Sequence, residues 1–204
     1  MKEYHIVSLP GHPSEATVRF MQHVDIDCYP WGGDYRPKAF GTMWVEGGKK
    51  LCARMCCEEE EPRAVLKNFG DPVCTDSCLE WFMAADKEGN YLNCEMNAIG
   101  TVLVEYGPQN GQRGFITEIA DPPVVKAGRD GVYWYVEVGF ELDLLRKALN
   151  APELTLDGGS EIWFNMYKCG DRTEHRHFGV WNEVGTSGPN FHTPKYFGKG
   201  IVQN

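Results

Sequence analysis

Long apolar runs, basic blocks and metal-knuckle spacings are all missing from this chain of 204 residues, and each absence closes off a class of function. No stretch approaches the roughly 18 consecutive apolar residues that cross a bilayer as a helix, so no membrane partner is expected. The opening MKEYHIVSLPGHPSEATV has no apolar centre of the kind a secretory leader carries; the chain is expected to be soluble and cytoplasmic. Lys and Arg total 20 against 29 Asp and Glu, a net charge of −9. The cations form no cluster able to neutralise phosphates, so nucleic acid is not an expected partner. The one dense charge run, Glu58 to Glu61, reads as a solvated loop. Eight cysteines stand at 28, 52, 56, 57, 74, 78, 94 and 169, with no CxxC pair among them. A chain of this length needs no disulfide staples, and zinc knuckles need closely spaced ligands on a turn. The thiols therefore read as small buried side chains.

Helical periodicity is nearly absent too. Lys50 to Cys57 alternates, with Leu51, Ala53, Met55 and Cys57 on one side and Lys50, Cys52, Arg54 and Cys56 on the other. Trp134, Val136, Val138 and Phe140 oppose Tyr133, Tyr135 and Glu137, and Ile162, Phe164 and Met166 oppose Trp163, Asn165 and Tyr167. Turn signals such as VEGGKK, DKEGN, GPQNGQRG and KAGRDG separate these runs. Only FELDLLRKALN repeats leucine at helical spacing, predicting one short helix over 141–149 that plugs an end of the fold. The expectation is an all-β protein, an antiparallel β-sandwich of immunoglobulin-like or jelly-roll type, forming one domain over 1–204. Nothing in the sequence sets an oligomeric state.

The stretch DSCLEWFMAADKEGNYLNCEMNAIGT (76–101) predicts a hairpin. If Leu79, Trp81 and Met83 face the core, Glu80 shares the other face with Asn93, Glu95 and Asn97. The register then sets Glu80 opposite either Glu95 or Asn93. Like charges across a strand pair destabilise, so a cation, a shared proton or a ligand is expected there; Arg54 and Lys168 have the parity to supply charge. Three readings follow: a solvated sheet face, a polyol-binding face, or a glycosidase pair at the spacing of roughly 5 Å that retention needs. Trp31 and Tyr35 in YPWGGDYRP, and Trp181 and Phe191 around WNEVGTSGPNF, put large rings in loops, where binding sites gather.

Three stretches in order, DPVCTDSCLEWFM with YLNCEMNAIGT, then FNMYKCGD, then FGVWNEVGTSGPNFHTPKYFG, resemble the family 9 carbohydrate-binding modules and their family 9-like relatives. The agreement runs from about residue 30 onward and ends in PNFHTPKYFG, Pro189 to Gly198. The resemblance implies an immunoglobulin-like sandwich akin to the DOMON group and non-catalytic binding of a carbohydrate ligand gripped between two Trp rings. It implies Trp181 as one wall and Trp31 as the other. Glu80, Asn93, Glu95, Asn97 and Asn165 would bond hydroxyls or shape the site, with Arg36 or Arg54 balancing the carboxylates. It also implies structural calcium. Asp25, Asp27, Asp34, Asp71 and Asp76 are available near loops, though they equally suit turn formation, and no other cofactor is expected. Haem, a second ligand of the DOMON group, finds no axial Met/His pair marked by spacing; His192 reads as a loop tie. The alternatives are a glycoside-active enzyme using Glu80 and Glu95, and an interaction domain that keeps the fold without a ligand.

Overall fold

The computed structural model describes residues 1–31 and 33–204. Its strands are β1 (Glu3–Leu9), β2 (Val24–Asp25), β3 (Ala39–Glu46), β4 (Lys50–Glu58), β5 (Cys78–Ala84), β6 (Asn90–Asn97), β7 (Val102–Pro108), β8 (Gly114–Phe115), β9 (Lys126–Asp130), β10 (Tyr133–Glu141), β11 (Glu161–Cys169), β12 (Phe178–Val180) and β13 (Gly198–Val202). Two helices, α1 (Glu15–Phe20) and α2 (Leu142–Ala148), complete the regular structure apart from short 3-10 turns. One sheet runs β8-β7-β6-β5-β11-β13-β1 and the other β1-β3-β4-β10-β9, with β12 beside β11 and β2 beside β3. The strand β1 belongs to both: Glu3 to Ile6 pair with β13 and Val7 to Leu9 with β3, each in parallel. All other pairings are antiparallel. The all-β sandwich stands, with β1 as its parallel exception.

The alternation read from the sequence becomes the inner layer. Leu79, Trp81 and Met83 of β5 and Leu92, Cys94 and Met96 of β6 meet Leu51, Ala53 and Met55 of β4 and Trp134, Val136 and Val138 of β10. The α2 segment closes one end through Leu145, Ala148 and Leu149. The second helix, α1, went unpredicted because it is six residues long and buries only Val18; its start is fixed by Ser14, whose side chain accepts from Thr17 N–H.

The outer face of the β5/β6/β11 sheet is not solvated. Residues 178–197 fold over it and enclose a second apolar cluster containing Phe82, Tyr91, Tyr167, Phe191 and Phe197. Tyr167 and Phe191 stack at 4.1 Å between centroids with 9° between planes. Both faces of β5 are consequently buried along its whole length.

Trp181 corrects the sequence expectation. It is not a free wall but lies in the main core, 4% exposed. Its ring stacks on Phe164 at 4.4 Å and 14°, so one aromatic face is already taken. The chain leaves β12 at Val180, bonds Trp181 N–H to Met166 O at 2.9 Å, and turns the indole inward at Gly198, where a Cβ would meet the ring at 2.5 Å. Trp181→Ala is expected to lower the unfolding free energy by about 3–5 kcal/mol. Trp163→Ala, at a half-buried surface ring, should cost under about 1 kcal/mol. Urea denaturation of the two variants checks the contrast.

Candidate functional site

The hairpin takes the register that opposes like charges: Glu80 pairs with Glu95, Phe82 with Asn93 and Cys78 with Asn97. Glu80 and Glu95 are both buried, and β11 lies on the other side of β5, setting Cys169 opposite Cys78. Cys169 Sγ donates to Glu80 Oε1 at 2.8 Å. Asn93 Nδ2 donates to Glu95 Oε1 at 3.0 Å, and Asn93 Oδ1 in turn accepts from Arg113. That guanidinium stacks over Tyr91, 3.7 Å from the ring centroid. Burial, then the Glu95 charge beside it, pushes the Glu80 carboxyl well above the ordinary carboxylate range. Burial likewise lifts Glu95 to about 7, with the Asn93 amide pulling the other way.

These carboxyls end in a cavity of about 230 Å³. Its floor is Glu80, Glu95 and Cys169, with Cys74 beside them, and Asp171 and Arg176 come from the loop after β11. The covering segment supplies Phe178 and the run Pro189 to His192. Asp171 Oδ1 is buried with no hydrogen-bond partner, and burial raises its carboxyl. Arg176 is placed over the Phe178 ring at 4.9 Å. His192 ties the covering loop to β6, with Nδ1 2.7 Å from the Tyr91 hydroxyl. The cavity is thus mostly acceptors, with an apolar rim and one cation.

Of the ligand contacts expected from the sequence, only Glu80 and Glu95 line this cavity, joined by Phe191 and His192, which the sequence presents as a loop ring and a loop tie. Asn93 stands behind Glu95 as a brace. Asn97 accepts from the N–H groups of Ile99 and Thr101 and donates to Leu66 O and Asp76 Oδ2, pinning turns rather than facing the cavity. Asn165 Oδ1 accepts from Met166 and Asn182 N–H, and its amide donates to Asn182 O, stitching β11 to the segment after β12. Trp31 stands one ring further out, tilted on Phe191 at 6.0 Å, with its indole N–H held by Thr186 O at 2.8 Å. Arg36 is exposed in a separate hollow with Asp25, Asp27 and Tyr29.

The charge balance expected from Arg54 and Lys168 is also corrected. Arg54 lies on the outer face of the other sheet, bonded to Glu15 and Glu137. Lys168 points into the sandwich interior, paired with Glu59 at 3.3 Å. Glu59 itself is buried, not part of a solvated run. It accepts from Trp134 Nε1 at 3.0 Å, and from Ser77 and Tyr35 hydroxyls at 3.3 Å each. Burial opposes its ionisation, but Lys168 and the Trp134 N–H outweigh that and hold its carboxyl low. Lys168 Nζ also donates to His177 Nε2 at 2.8 Å, while His177 Nδ1–H donates to His175 O at 2.6 Å. This ring is neutral by construction, since both nitrogens are already committed.

The five aspartates do not fit calcium. Asp76 Oδ2 accepts from the N–H groups of Val65 and Leu66, and Asp71 from those of Lys67 and Asn68. Asp27 pairs with Lys2. Among the described residues no three of them bring oxygens within 4.8 Å of one another, and calcium needs six to eight oxygens converging.

Arg113, Asp171 and Arg176 were missed because each sits in a loop whose sequence signals only a turn. KCGD and GPQNGQRG carry no periodicity that aims a side chain.

The model for "Carbohydrate-binding family 9" matches residues 18–201. A solved structure from Bacteroides uniformis ATCC 8492, described as a candidate carbohydrate-binding protein, superposes with a TM-score of 0.83 at 20% identity over 99% of both chains. A family 9 carbohydrate-binding module from Caldicellulosiruptor kristjanssonii, solved with glucose, gives a TM-score of 0.69 at 10% identity, covering 100% of this chain and 96% of that one. A module from the same organism with cellotriose gives 0.66 at 10%, covering 100% and 94%. No curated protein matches the chain.

His177 offers a titration test of the interior network. Burial, then the Lys168 charge, depresses its pKa to about 4 from the ordinary 6.5. The unfolded chain therefore takes up this proton first, and stability held above pH 6.5 is lost as pH falls toward 4. The loss from this group is about 3 kcal/mol. Thermal unfolding followed from pH 7 to pH 4 should show a shallower decline in His177→Gln than in the wild type.

Proposed function

The chain belongs to carbohydrate-binding family 9, and on that premise we propose that its acceptor-lined cavity holds one sugar unit without chemical conversion. The mixed lining of this cavity, carboxyls of Glu80, Glu95 and Asp171 beside the rings of Phe178 and Phe191, carries this reading. Acceptors gathered in a cavity are satisfied by water or by the hydroxyls of a bound polyol. Sugars are hydroxyl-rich donors with apolar ring faces. The cavity answers both properties, with Glu95, Asp171 and Asn190 for the hydroxyls and Phe178 and Phe191 for a ring edge or face. At about 230 Å³ it is smaller than drug-sized pockets of roughly 300–1,000 Å³, which favours a single ring or a chain end over a long glycan threading through.

Catalysis fits the geometry poorly. A retaining pair needs one carboxylate ionised as nucleophile and one protonated as acid. Here burial raises both Glu80 and Glu95, and among the described residues neither forms an ion pair that would hold it ionised as a nucleophile. Trp31 supports the wall from behind Phe191 rather than stacking on the ligand.

Glucose and cellotriose, the ligands of the two structural neighbours, are the first probes. Calorimetric titration in the presence of EDTA is expected to give saturable binding at one site. Glu95→Gln and Asp171→Asn should each weaken it about tenfold or more, while Arg36→Ala leaves Kd unchanged. Equal affinity in all three variants, or no heat with any of a broad monosaccharide panel, would sink the assignment.

A further inference from the structure

The floor of the cavity carries a second chemistry that sugar binding does not use. Cys78 and Cys169 are direct partners across β5 and β11, and Glu80, two residues after Cys78, points to the same face. One ligand atom from each of the three lies within 4.8 Å of the other two, and all three residues are buried. Among the described residues no other group of three or more His, Cys, Asp or Glu donors meets that condition. Sequence spacing hides the cluster, because the two sulfurs are 91 residues apart and meet only through strand pairing.

Charge gives an independent reason for a cation here. Three carboxyls, Glu80, Glu95 and Asp171, converge on one cavity, and among the described residues Arg176 is the only basic side chain lining it besides the His192 imidazole. Arg113 reaches this face only through Asn93, and Lys168 is spent on Glu59 and His177. Opposed like charges on a strand pair are unfavourable unless a shared proton or a cation stands between or beside them, and a metal ion meets that need while using the two thiols as well. We propose that Cys78, Glu80 and Cys169 form a binding site for a thiophilic divalent metal of the zinc type, with one coordination position open to the cavity.

The donor set selects the metal class. Two thiolates and a carboxylate suit zinc or a close analogue, whereas calcium and magnesium take oxygen donors. Three protein ligands leave a tetrahedral ion one vacancy. Glu80 and Cys169 line the cavity while Cys78 stands behind them, so the vacancy faces the open space and takes water or a ligand oxygen. Binding releases both thiol protons to solvent, and the Glu80 proton with them when that carboxyl is protonated. The Cys169-to-Glu80 hydrogen bond of 2.8 Å is then replaced by two bonds to the metal. Glu95 and Asp171 remain beside the ion as further negative groups, and the cavity walls stay available to a sugar.

The test needs no carbohydrate, so its failure is distinct from failure of the sugar reading. The full chain, reduced and stripped with EDTA, is titrated with Co²⁺. One equivalent is expected to produce a thiolate-to-cobalt charge-transfer band, which stoichiometric Zn²⁺ abolishes while protons are released. Cys78→Ser and Cys169→Ser should each lose the band, Cys57→Ala should keep it, and Glu95→Gln should weaken zinc binding by about 10–100-fold. A folded wild type with no charge-transfer band overturns the proposal whatever the variants do, and so does a band that survives Cys78→Ser. Zinc-edge X-ray absorption of the loaded wild type covers the case in which the serine variants fail to fold: two sulfurs and lighter oxygen donors are expected around the metal, and a shell without sulfur overturns the proposal.

Discussion

The register of β5 governs what the rest of the molecule must do. Placing Leu79, Trp81 and Met83 in the main core leaves no choice about their neighbours. Glu80 goes to the opposite face, against Glu95 on one side and in reach of Cys169 on the other. A shift by one residue would relieve the carboxyl pair but turn Trp81 and Met83 out of the core, at about 2 kcal/mol or more per side chain. Hydrophobic burial wins that contest, and the polar consequences are handled locally. Asn93 relays the Arg113 charge to Glu95, and the thiol of Cys169 bonds Glu80.

The second constraint is the covering segment. Because 178–197 closes over the outer face, the Glu80/Glu95 face becomes the floor of a cavity instead of a stretch of solvated sheet. The same loop region reaches the interior network, since His177 Nε2 accepts from the Lys168 ammonium and its Nδ1–H donates to His175 O. Asp171 and Arg176 lie between these two anchor points, at the strand end and at His177. The cavity wall is thereby positioned by residues that never line it, and Asn165 and Asn182 add the stitch on the far side of β12.

Much of this was legible in the sequence wherever alternation decides the outcome. The inner faces of β4, β10 and β11 and the β5/β6 hairpin follow directly from period two, as did the pairing of the polar residues on one face. What alternation does not encode is whether a polar face meets water or another layer. Asn93, Asn97 and Asn165 therefore looked like ligand contacts, and the structure makes them braces. Trp181 misled for a related reason: an indole in a loop-like stretch, beside Gly and Asn, follows a three-residue strand that aims it inward. Glu59 was hidden in a run of acids, although its exposed neighbours Glu58, Glu60 and Glu61 are ordinary surface charges. The cavity's loop residues had no periodic signal at all.

The strand β1 sets the order in which such a chain is able to fold. Its first half hydrogen-bonds to residues 199–202 and its second half to residues 44–46, so the seam joining the two sheets is made from segments nearly 200 positions apart. β13 is also interior to its sheet, lying between β1 and β11. Until residue 202 is available, β11 and β1 each present an unpaired edge, and the two halves have only side-chain packing to hold them together. Closing so long a loop carries an entropic cost that must be met before the contacts reward it. Slow completion, with sticky edges exposed meanwhile, is the kinetic signature this topology carries.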